Sequence, residues 1–368
     1  MINRIEQIAK WLQKDNLDAA FLTSSANVFY LTHFACDPHE RLLGILIFPN
    51  REPLLVCPLL EIDRVKASGW TGEVYAHQDG DNPWKWLKDH AFSHTKNNLK
   101  FAIETDHLTY GRALNMKEEL GIEVFVSIEE QIRKMRMHKT PDEMKILREA
   151  AKFADKAIQY GIDALKLGCT ELEVKNQIEA KLLEQGITQM AFPTMVLFGE
   201  RTALPHGEAG KRTLQKGDLV LFDLGVVVDG YRSDITRTVV FGEASEEQRR
   251  IYQAVQEANE YAIQAVLTRK VATFGQVDSV ARQHIEQAGY GKYFTHRLGH
   301  GLGVEAHEYP SVSGDNSLPL APGILFTIEP GVYVSEIGGV RIEDMVFITD
   351  DGCEVLTSSP KELQMISL

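Results

Sequence analysis

The sequence predicts an α/β domain followed by an α+β domain that is built from two similar halves. Helical and strand-like segments alternate over residues 1 to about 130. Further along, capping signals for long helices occur at Thr140 and again at Ser245, and a hairpin carrying two carboxylates in apolar surroundings follows each time. Alternating helices and strands are typical of an α/β domain, and the repeated order indicates two halves within the second domain.

The first domain, placed at residues 1–132, opens with a helix because Ile5, Ile8 and Leu12 recur at helical spacing. Apolar runs bounded by polar or turn residues then predict five strands. These strands are expected at residues 18–23, 41–49, 52–58, 99–104 and 122–126. A basic segment at residues 133–139 is interpreted as the linker to the second domain.

The second domain, residues 140–368, begins with a predicted capping box. Thr140 and Glu143 have the spacing of that motif, which predicts a helix from there to about Ala164. A second helix is expected from Thr170 to Gly186. The same pair of helices recurs between residues 245 and 289, so each half is predicted to be a helix pair followed by an antiparallel hairpin.

Bulk composition excludes several classes of function. The formal net charge of the 368-residue chain is −13, whereas nucleic acids and anionic membranes both select basic surfaces. No apolar run approaches the length of a membrane span, and the first residues lack a signal-peptide pattern. The 4 cysteines include no Cys-x-x-Cys pair, which indicates a reducing compartment. We therefore expect a cytoplasmic enzyme with neither nucleic-acid nor membrane partners.

Two matched hairpins carry the candidate metal ligands. The first contains Asp223 and Asp234, and the second contains Glu329 and Glu343. In both, a glycine stands six residues before the first acid and another stands two residues after it, while an arginine stands two residues before the second acid. Burying four acids in apolar strands is too costly unless a cation lies among them, so the pattern predicts a pair of metal ions.

The register of the first hairpin places its two acids on one face. A two-residue turn at residues 229–230 puts Asp223 opposite Thr236. Asp234 is two residues from Thr236 and shares its face, roughly 7–8 Å from Asp223 along the diagonal. In the second hairpin the acids are 14 rather than 11 residues apart, and the three extra residues are expected in the loop at 335–339.

His300 is a fifth candidate ligand, since glycines on both sides of it leave its ring open. Four acids and one imidazole form an oxygen-rich set, which suits Mn²⁺, Co²⁺ or Mg²⁺ better than a structural zinc ion. Bridging carboxylates would hold two ions about 3.5–4 Å apart, as in hydrolytic two-metal sites. The Gly-x-Gly-x-Gly run at 299–303 does not open a helix after a strand, so a dinucleotide site is not expected.

These motifs resemble those of the pita-bread metallopeptidases, a family that includes methionine aminopeptidase, aminopeptidase P, prolidase and the metal-free creatinase. The resemblance runs from about residue 140 to the end, and the flanks Gly-His-Gly-Leu-Gly, Ile-Glu-Pro-Gly and Arg-Ile-Glu-Asp match closely. The positions that match the family's metal ligands are Asp223, Asp234, His300, Glu329 and Glu343. The resemblance implies a pita-bread domain with a pseudo-twofold repeat and two divalent ions per subunit, Mn²⁺ first and Co²⁺ or Zn²⁺ next.

The presence of the first domain narrows the choice among the members of this family. Methionine aminopeptidases typically lack such an N-terminal domain, whereas prolidase, aminopeptidase P and creatinase carry one. The loop Asp-Pro-His-Glu-Arg at 37–41 resembles that of some bacterial prolidases, in which it can reach the partner's active site. The resemblance therefore implies a homodimer in which Asp37, His39 and Arg41 contact the substrate. The alternative is a polar loop that simply leads into the next strand.

The implied reaction is hydrolysis of Xaa-Pro dipeptides by a metal-bridging hydroxide, with Glu329 binding one metal ion and handling the proton of the water. The other residues implied near the substrate are His206 and His307, as catalytic groups, and His296 and Arg341, as binding groups. The alternative role for His296 is to support the loop that holds His300.

Ser311 leaves the substrate class open. Many prolidases have an arginine shortly after His-Glu-x-Pro that suits the carboxylate of a dipeptide, whereas here Ser311 follows that motif. Either His296, Arg297 or Arg41 of the partner subunit takes this role, or the enzyme accepts longer peptides, as aminopeptidase P does. A peptide-binding protein without catalysis is a third reading, which the complete ligand set disfavours.

Overall fold

The computed structural model describes residues 2–93 and 98–367. The chain divides into two compact units, Met1–Met135 and Arg136–Leu368. The predicted domain limits, 1–132 and 140–368, stay a prediction, and residues 133–137 of the expected linker belong to a helix. Among the described residues, no helix combines the length and the apolar character that crossing a membrane would need.

The first unit contains a six-stranded mixed sheet in the order β4-β3-β2-β1-β5-β6. Its strands are Ala19–Leu22 (β1), Gly44–Ile47 (β2), Leu54–Pro58 (β3), Glu73–His77 (β4), Leu99–Ile103 (β5) and Ile122–Ser127 (β6). Its helices are Ile2–Lys14 (α1), Ser25–Thr32 (α2), Ile62–Ala67 (α3), Pro83–Ala91 (α4), Tyr110–Leu120 (α5) and Glu129–Met137 (α6). Strand β2 runs antiparallel to both neighbours, while β3–β4, β1–β5 and β5–β6 are parallel pairs.

The five predicted strands are present, with two differences from the prediction. Strand β2 begins at Gly44 rather than at Arg41, because Arg41 lies in the preceding loop and pairs with Asp79. Strand β4 was not predicted. It lies at the edge of the sheet and is only partly buried, so its sequence lacks the continuous apolar run of a strand that is covered on both faces.

The second unit repeats one arrangement of elements. Its helices are Pro141–Asp163 (α7), Glu171–Glu184 (α8), Glu246–Leu267 (α9) and Phe274–Gln287 (α10). The strands of the first half are Met195–Phe198 (β7), Asp218–Leu224 (β8), Val227–Val228 (β9), Tyr231–Arg232 (β10) and Ile235–Phe241 (β11). Those of the second half are Gly299–Gly301 (β12), Glu308–Val312 (β13), Leu325–Ile328 (β14), Gly331–Val334 (β15), Gly338–Arg341 (β16), Asp344–Thr349 (β17), Gly352–Val355 (β18) and, at the chain end, Met365–Ile366 (β19).

The helix starts agree with the prediction because they are encoded locally. Thr140, Thr170 and Ser245 each accept a hydrogen bond from the third helical residue, whose own side chain bonds back to the cap, so all three form capping boxes. Helix α7 packs on the sheet that contains β8 and β11, where Ala150, Ala154 and their neighbours meet Phe222 in one apolar cluster. A second cluster joins α9 and α10 to the sheet that contains β14 and β17.

The predicted repeat is confirmed in the order of the strands. One sheet has the order β19-β11-β8-β7 and the other β13-β12-β14-β17-β18. In each half a central strand breaks for two residues, continues as a short two-stranded ribbon, breaks again and returns as the paired strand. Gly217 and Gly323, the glycines six residues before the first acids, both have a left-handed φ, of 84° and 93°, which glycine adopts without a steric penalty.

The predicted hairpin registers are also confirmed. Asp223 lies opposite Thr236, and the turn at 229–230 closes the first ribbon. In the second ribbon Val334 pairs with Gly338, so the extra residues lie in the loop where they were expected.

Candidate metal centre

Three of the predicted ligands form a compact buried cluster. One ligand atom each from Asp234, His300 and Glu343 lies within 4.8 Å of the other two. Asp234 and Glu343 occupy the breaks before β11 and β17, and His300 lies on β12. Glu329 joins them, because its Oε1 is 3.2 Å from Nε2 of His300. Both halves of the repeat therefore contribute ligands to one place.

Asp223 completes the cluster from β8. Its Oδ2 accepts a hydrogen bond from Nη2 of Arg341, and its charge helps to raise the pKa of both Asp234 and Glu343. The cluster lies where the two sheets meet, since Thr236 forms an antiparallel bridge with Glu343. The structure thus brings all five predicted ligands together.

The donor set fits divalent metal ions. Burial, followed by the charges of neighbouring acids, raises the pKa of Asp234 and Glu343 well above the usual range. Burial alone would also raise the pKa of Glu329, but the hydrogen bond and charge of His300 outweigh it and lower that pKa to about 2. Within the described residues, Oδ1 of Asp223 and Oε1 of Glu343 are buried without a hydrogen-bond partner. Oxygen atoms that are buried and unsatisfied in this way are suited to hard cations.

Local contacts fix the His300 ring with one nitrogen toward the acids. Its Nδ1 lies 3.1 Å from the carbonyl oxygen of Gly301; a carbonyl can only accept, so Nδ1 carries the hydrogen and Nε2 is left as the ligand atom. A Cβ at Gly299 would lie 2.0 Å from the Thr327 carbonyl oxygen. Glycine is therefore required for β12 to lie this close to the strand that leads to Glu329.

Arg341 is a positioning residue in this structure and does not fit the substrate-binding role predicted for it. Its side chain is buried, and its donors reach Asp223, Oη of Tyr333 at 2.7 Å and Oγ1 of Thr236 at 3.1 Å. Thr236 in turn donates to Oε2 of Glu343 at 2.7 Å. One guanidinium therefore orients ligands from both halves.

His296 is engaged on both sides of its ring. Nε2 lies 2.9 Å from Oη of Tyr333, and Nδ1 lies 2.7 Å from the carbonyl oxygen of Arg297. The carbonyl can only accept, so Nδ1 donates and Nε2 accepts from Tyr333, which agrees with a neutral ring whose pKa burial lowers. This arrangement favours the supporting role over direct substrate binding. Sequence patterns did not single out Tyr333, which no spacing rule connects to Arg341 or His296.

A second set of residues that the sequence patterns missed lies behind the acids. Arg237 donates to the carbonyl oxygen of Glu343 at 2.6 Å and to Oδ1 of Asp344 at 2.8 Å. Nζ of Lys361 lies 2.7 Å from Oδ2 of Asp344 and 2.8 Å from Oδ1 of Asn259. Such outer contacts orient the ligands in front of them. The signal available in the sequence was the second acid of Arg-Ile-Glu-Asp, which directly follows a ligand.

His206 and His307 are exposed and lie close enough to each other for His206 to affect the pKa of His307. The His307 ring makes an edge contact with His300, with ring centroids 4.2 Å apart. Desolvation and then the nearby charges of His300, Arg297 and His206 lower the pKa of His307 to about 4. Its imidazole is therefore neutral at physiological pH and available either to accept or to donate a hydrogen bond.

The predicted loop residues of the first unit have contacts of their own. Asp37 and His39 are exposed and contact each other, with 3.1 Å between the His39 backbone nitrogen and Oδ1 of Asp37. Arg41 forms a two-point pair with Asp79, at 2.6 and 3.0 Å. Their contact with substrate in a partner subunit stays a prediction.

Metal binding is expected to release protons, because the raised pKa values of Asp234 and Glu343 keep protons on the metal-free cluster. Titration calorimetry with Mn²⁺ in two buffers of different ionisation enthalpy should therefore give different apparent enthalpies at one pH, and metal affinity should fall as the pH falls. Asp234→Asn should reduce the number of protons released. Identical enthalpies in both buffers would contradict this charge state.

The raised pKa values of Asp234 and Glu343 also determine how the stability of the metal-free protein changes with pH. A carboxyl whose pKa is raised by folding binds more protons in the folded than in the unfolded chain, so stability falls as pH rises from about 4 toward the raised pKa. The metal-free protein should therefore lose thermal stability over this range, and Glu343→Gln should lose less of it. If the melting temperature of the wild type rose over this pH range, and that of Glu343→Gln rose by the same amount, the pKa values of Asp234 and Glu343 would not be raised.

Comparison with known proteins agrees with this geometry. Residues 145–350 match the model of metallopeptidase family M24, and residues 4–138 match the creatinase/prolidase N-terminal domain. The Bacillus subtilis protein named "Putative dipeptidase YkvY" is 46% identical over 362 residues, covering 98% of this chain and 99% of that protein.

Two solved structures share the whole architecture. The Xaa-Pro dipeptidase from Bacillus anthracis superposes with a TM-score of 0.89 at 32% identity, covering 100% of this chain and 99% of that one. The X-Pro aminopeptidase from Thermotoga maritima gives a TM-score of 0.88 at 29% identity, covering 99% of both chains. With five predicted ligands meeting between two repeated halves and both domain models matched, the chain belongs to metallopeptidase family M24 and carries a creatinase/prolidase N-terminal domain ahead of a pita-bread catalytic domain.

Proposed function

We propose that this metallopeptidase is an Xaa-Pro dipeptidase with two divalent ions in each subunit, preferably Mn²⁺. The observation that carries the proposal is the convergence of four largely inaccessible acids and His300, with two exposed histidines beside them. The similarity to an Xaa-Pro dipeptidase over the whole chain supports the substrate class. Asp223, Asp234, His300, Glu329 and Glu343 would hold the ions.

When bound, the ions would supply a water that is nucleophilic at neutral pH. Glu329 is ionised and its Oε1 lies 3.2 Å from Nε2 of His300, so its carboxylate could accept the proton that this water would lose. His307, neutral and in contact with His300, is placed to donate a hydrogen bond to the carbonyl oxygen of the residue before proline. His206 lies close enough for its charge to affect His307, and we assign it to the same end of the substrate.

The proposal includes a homodimer in which Asp37, His39 and Arg41 approach the site of the partner subunit. The exposure of Asp37 and His39 supports this part. Because Arg41 already pairs with Asp79, it would have to exchange that carboxylate for the substrate's to act as an anchor.

X-Pro aminopeptidase activity is the second candidate. It is favoured by the similarity to the Thermotoga maritima enzyme and by Ser311, which stands where many prolidases have an arginine. The two candidates differ in whether a residue beyond proline is accepted.

Hydrolysis of Ala-Pro and Ala-Pro-Ala by the Mn²⁺-loaded protein separates the candidates, with Ala-Ala as the control for the proline requirement. We expect kcat/KM for Ala-Pro to exceed that for Ala-Pro-Ala, and Ala-Ala to be cleaved poorly. Equal or faster cleavage of Ala-Pro-Ala would establish the aminopeptidase activity instead. Efficient cleavage of Ala-Ala would show that the enzyme does not require proline.

A further inference from the structure

Arg297 has a guanidinium without an acidic partner. It is half-buried in the segment that leads into β12, and over residues 2–93 and 98–367 it forms no ion pair. Its Nη1 lies 3.5 Å from Oγ of Ser311. By contrast, the neighbouring arginines Arg282 and Arg341 are each bound to a carboxylate. A half-buried, unpaired cation in a chain of net charge −13 is a place where an anion would bind.

The backbone around this guanidinium is held firmly. The Leu298 amide donates to the Val312 carbonyl oxygen at 2.8 Å and to Oδ1 of Asp278 at 3.1 Å. Arg282 donates to the carbonyl oxygen of His296 at 2.9 Å. With both flanking residues fixed, little conformational freedom beyond that of the side chain itself would be lost when Arg297 binds a ligand.

Strand register places the Arg297 contact on the metal side of the sheet. Ser311 lies directly opposite His300 in the antiparallel pair β12–β13, and directly opposed residues project to the same face. The charge of Arg297 also helps to lower the pKa of His307, whose ring packs against His300. The guanidinium, His307 and the ligand His300 therefore share one corner of the site.

Ser311 is oriented to accept a hydrogen bond from Arg297. Its own hydroxyl donates to Oγ of Ser313 at 3.2 Å, and Ser313 donates to Oδ1 of Asp315 at 2.7 Å. Ser311 can thus hold one corner of the guanidinium while the remaining N–H groups of Arg297 stay available for a second acceptor. Planar guanidinium groups bind carboxylates at two points, which gives both strength and orientation.

The other basic side chains near the acids are already engaged. Arg341 is bound to Asp223 and Tyr333, both nitrogens of His296 are engaged, and Arg232 donates to the carbonyl oxygens of Ala191 and Val304. An extended residue spans roughly 3.5 Å, so the carboxylate of a dipeptide lies only one residue beyond the scissile carbonyl. Its anchor must therefore lie next to the metal ligands, as Arg297 does.

We propose that Arg297, steadied by Ser311, binds the free α-carboxylate of an Xaa-Pro dipeptide and so makes the enzyme prefer dipeptides. The proposal rests on the Xaa-Pro activity proposed above. In this chain the cation comes from the segment before β12, and the serine on β13 that faces it replaces the arginine that many prolidases have after His-Glu-x-Pro.

The test compares Ala-Pro with alanyl-prolinamide, which keeps the scissile bond but lacks the carboxylate. In Arg297→Gln, kcat/KM for Ala-Pro should fall roughly 10- to 100-fold, mainly through KM, as expected for loss of hydrogen bonds to a charged group. Cleavage of alanyl-prolinamide should stay within about twofold, and Arg297→Lys should recover part of the loss on Ala-Pro. Lys292→Gln, which removes an exposed cation from the same segment, should change neither substrate.

Equal losses on both substrates in Arg297→Gln, or no loss on either, would overturn the assignment of Arg297 while leaving the Xaa-Pro activity standing. A wild-type protein that cleaves neither substrate would overturn the proposed function and this inference with it. A general structural role for Arg297 would not produce a loss confined to the substrate with a carboxylate.

Discussion

Glu329→Gln is expected to lower kcat on Ala-Pro by about 10²- to 10⁴-fold, the usual contribution of a general base. Glutamine keeps the shape of the side chain, but its amide cannot take a proton, and it is a weaker metal ligand than a carboxylate. The His300 ring would also lose an ionised partner that lies 3.2 Å from its Nε2. Stopped assays with Mn²⁺ in excess, together with metal analysis of the same sample, measure both effects.

Glu336→Gln is the matched control for Glu329. Glu336 lies in the exposed loop of the same hairpin region and has no assigned role, so its loss should leave kcat unchanged. A Glu329→Gln enzyme that retains its metal and keeps kcat within tenfold of the wild type would show that the proton is handled elsewhere.

Arg237→Met is expected to destabilise the fold by about 3–5 kcal/mol, because it leaves a buried carboxylate with an incomplete set of partners. The side chains of Arg237 and Asp344 are 2% and 0% exposed and pair at 2.8 Å. The same arginine donates to the carbonyl oxygens of Glu343 and Ser359, so metal affinity should fall as well. Denaturant unfolding of the metal-free protein gives the free-energy difference without a contribution from bound ions.

The control for this change is Arg133→Met, which breaks an exposed pair with Asp106 and should alter the free energy of unfolding by less than about 1 kcal/mol. If Arg237→Met were no more destabilising than this control, the network behind the acids would not be what holds Glu343 in place.

The positions of the hairpin acids could be predicted because their geometry is local to each hairpin. A two-residue turn fixes the register, and the register fixes which residues share a face. Counting from the turn at 229–230 is therefore enough to place Asp223 opposite Thr236, where it is found. The glycines six residues before the first acids were visible in the sequence as part of the matched spacing, and the structure adds that Gly217 and Gly323 both have a left-handed φ.

The partners of those ligands could not be predicted, since they depend on how distant segments pack. Arg341 was expected to face the substrate, yet its donors go to Asp223, 118 residues away in sequence, and to Tyr333. Lys361 reaches Asn259 across 102 residues. No periodicity or spacing specifies such contacts, because the choice of acceptor for a buried cation is settled only when the sheets meet.

His296 shows the same limit for a single side chain. The sequence places it four residues before a ligand, which is compatible with either binding substrate or supporting the loop. Only the observation that both ring nitrogens have partners within the chain, Tyr333 and the Arg297 carbonyl, favours the second role.

Counting bound ions tests whether the four acids and His300 form a single site for two metal ions. After chelation and titration with Mn²⁺, the wild-type protein should bind two ions per chain, and Asp223→Asn, which removes a charge from one side of the cage, should bind fewer and lose Ala-Pro hydrolysis. A wild-type protein that binds no Mn²⁺, or an Asp223→Asn variant that keeps two ions and full activity, would show that these five residues do not form a two-metal site.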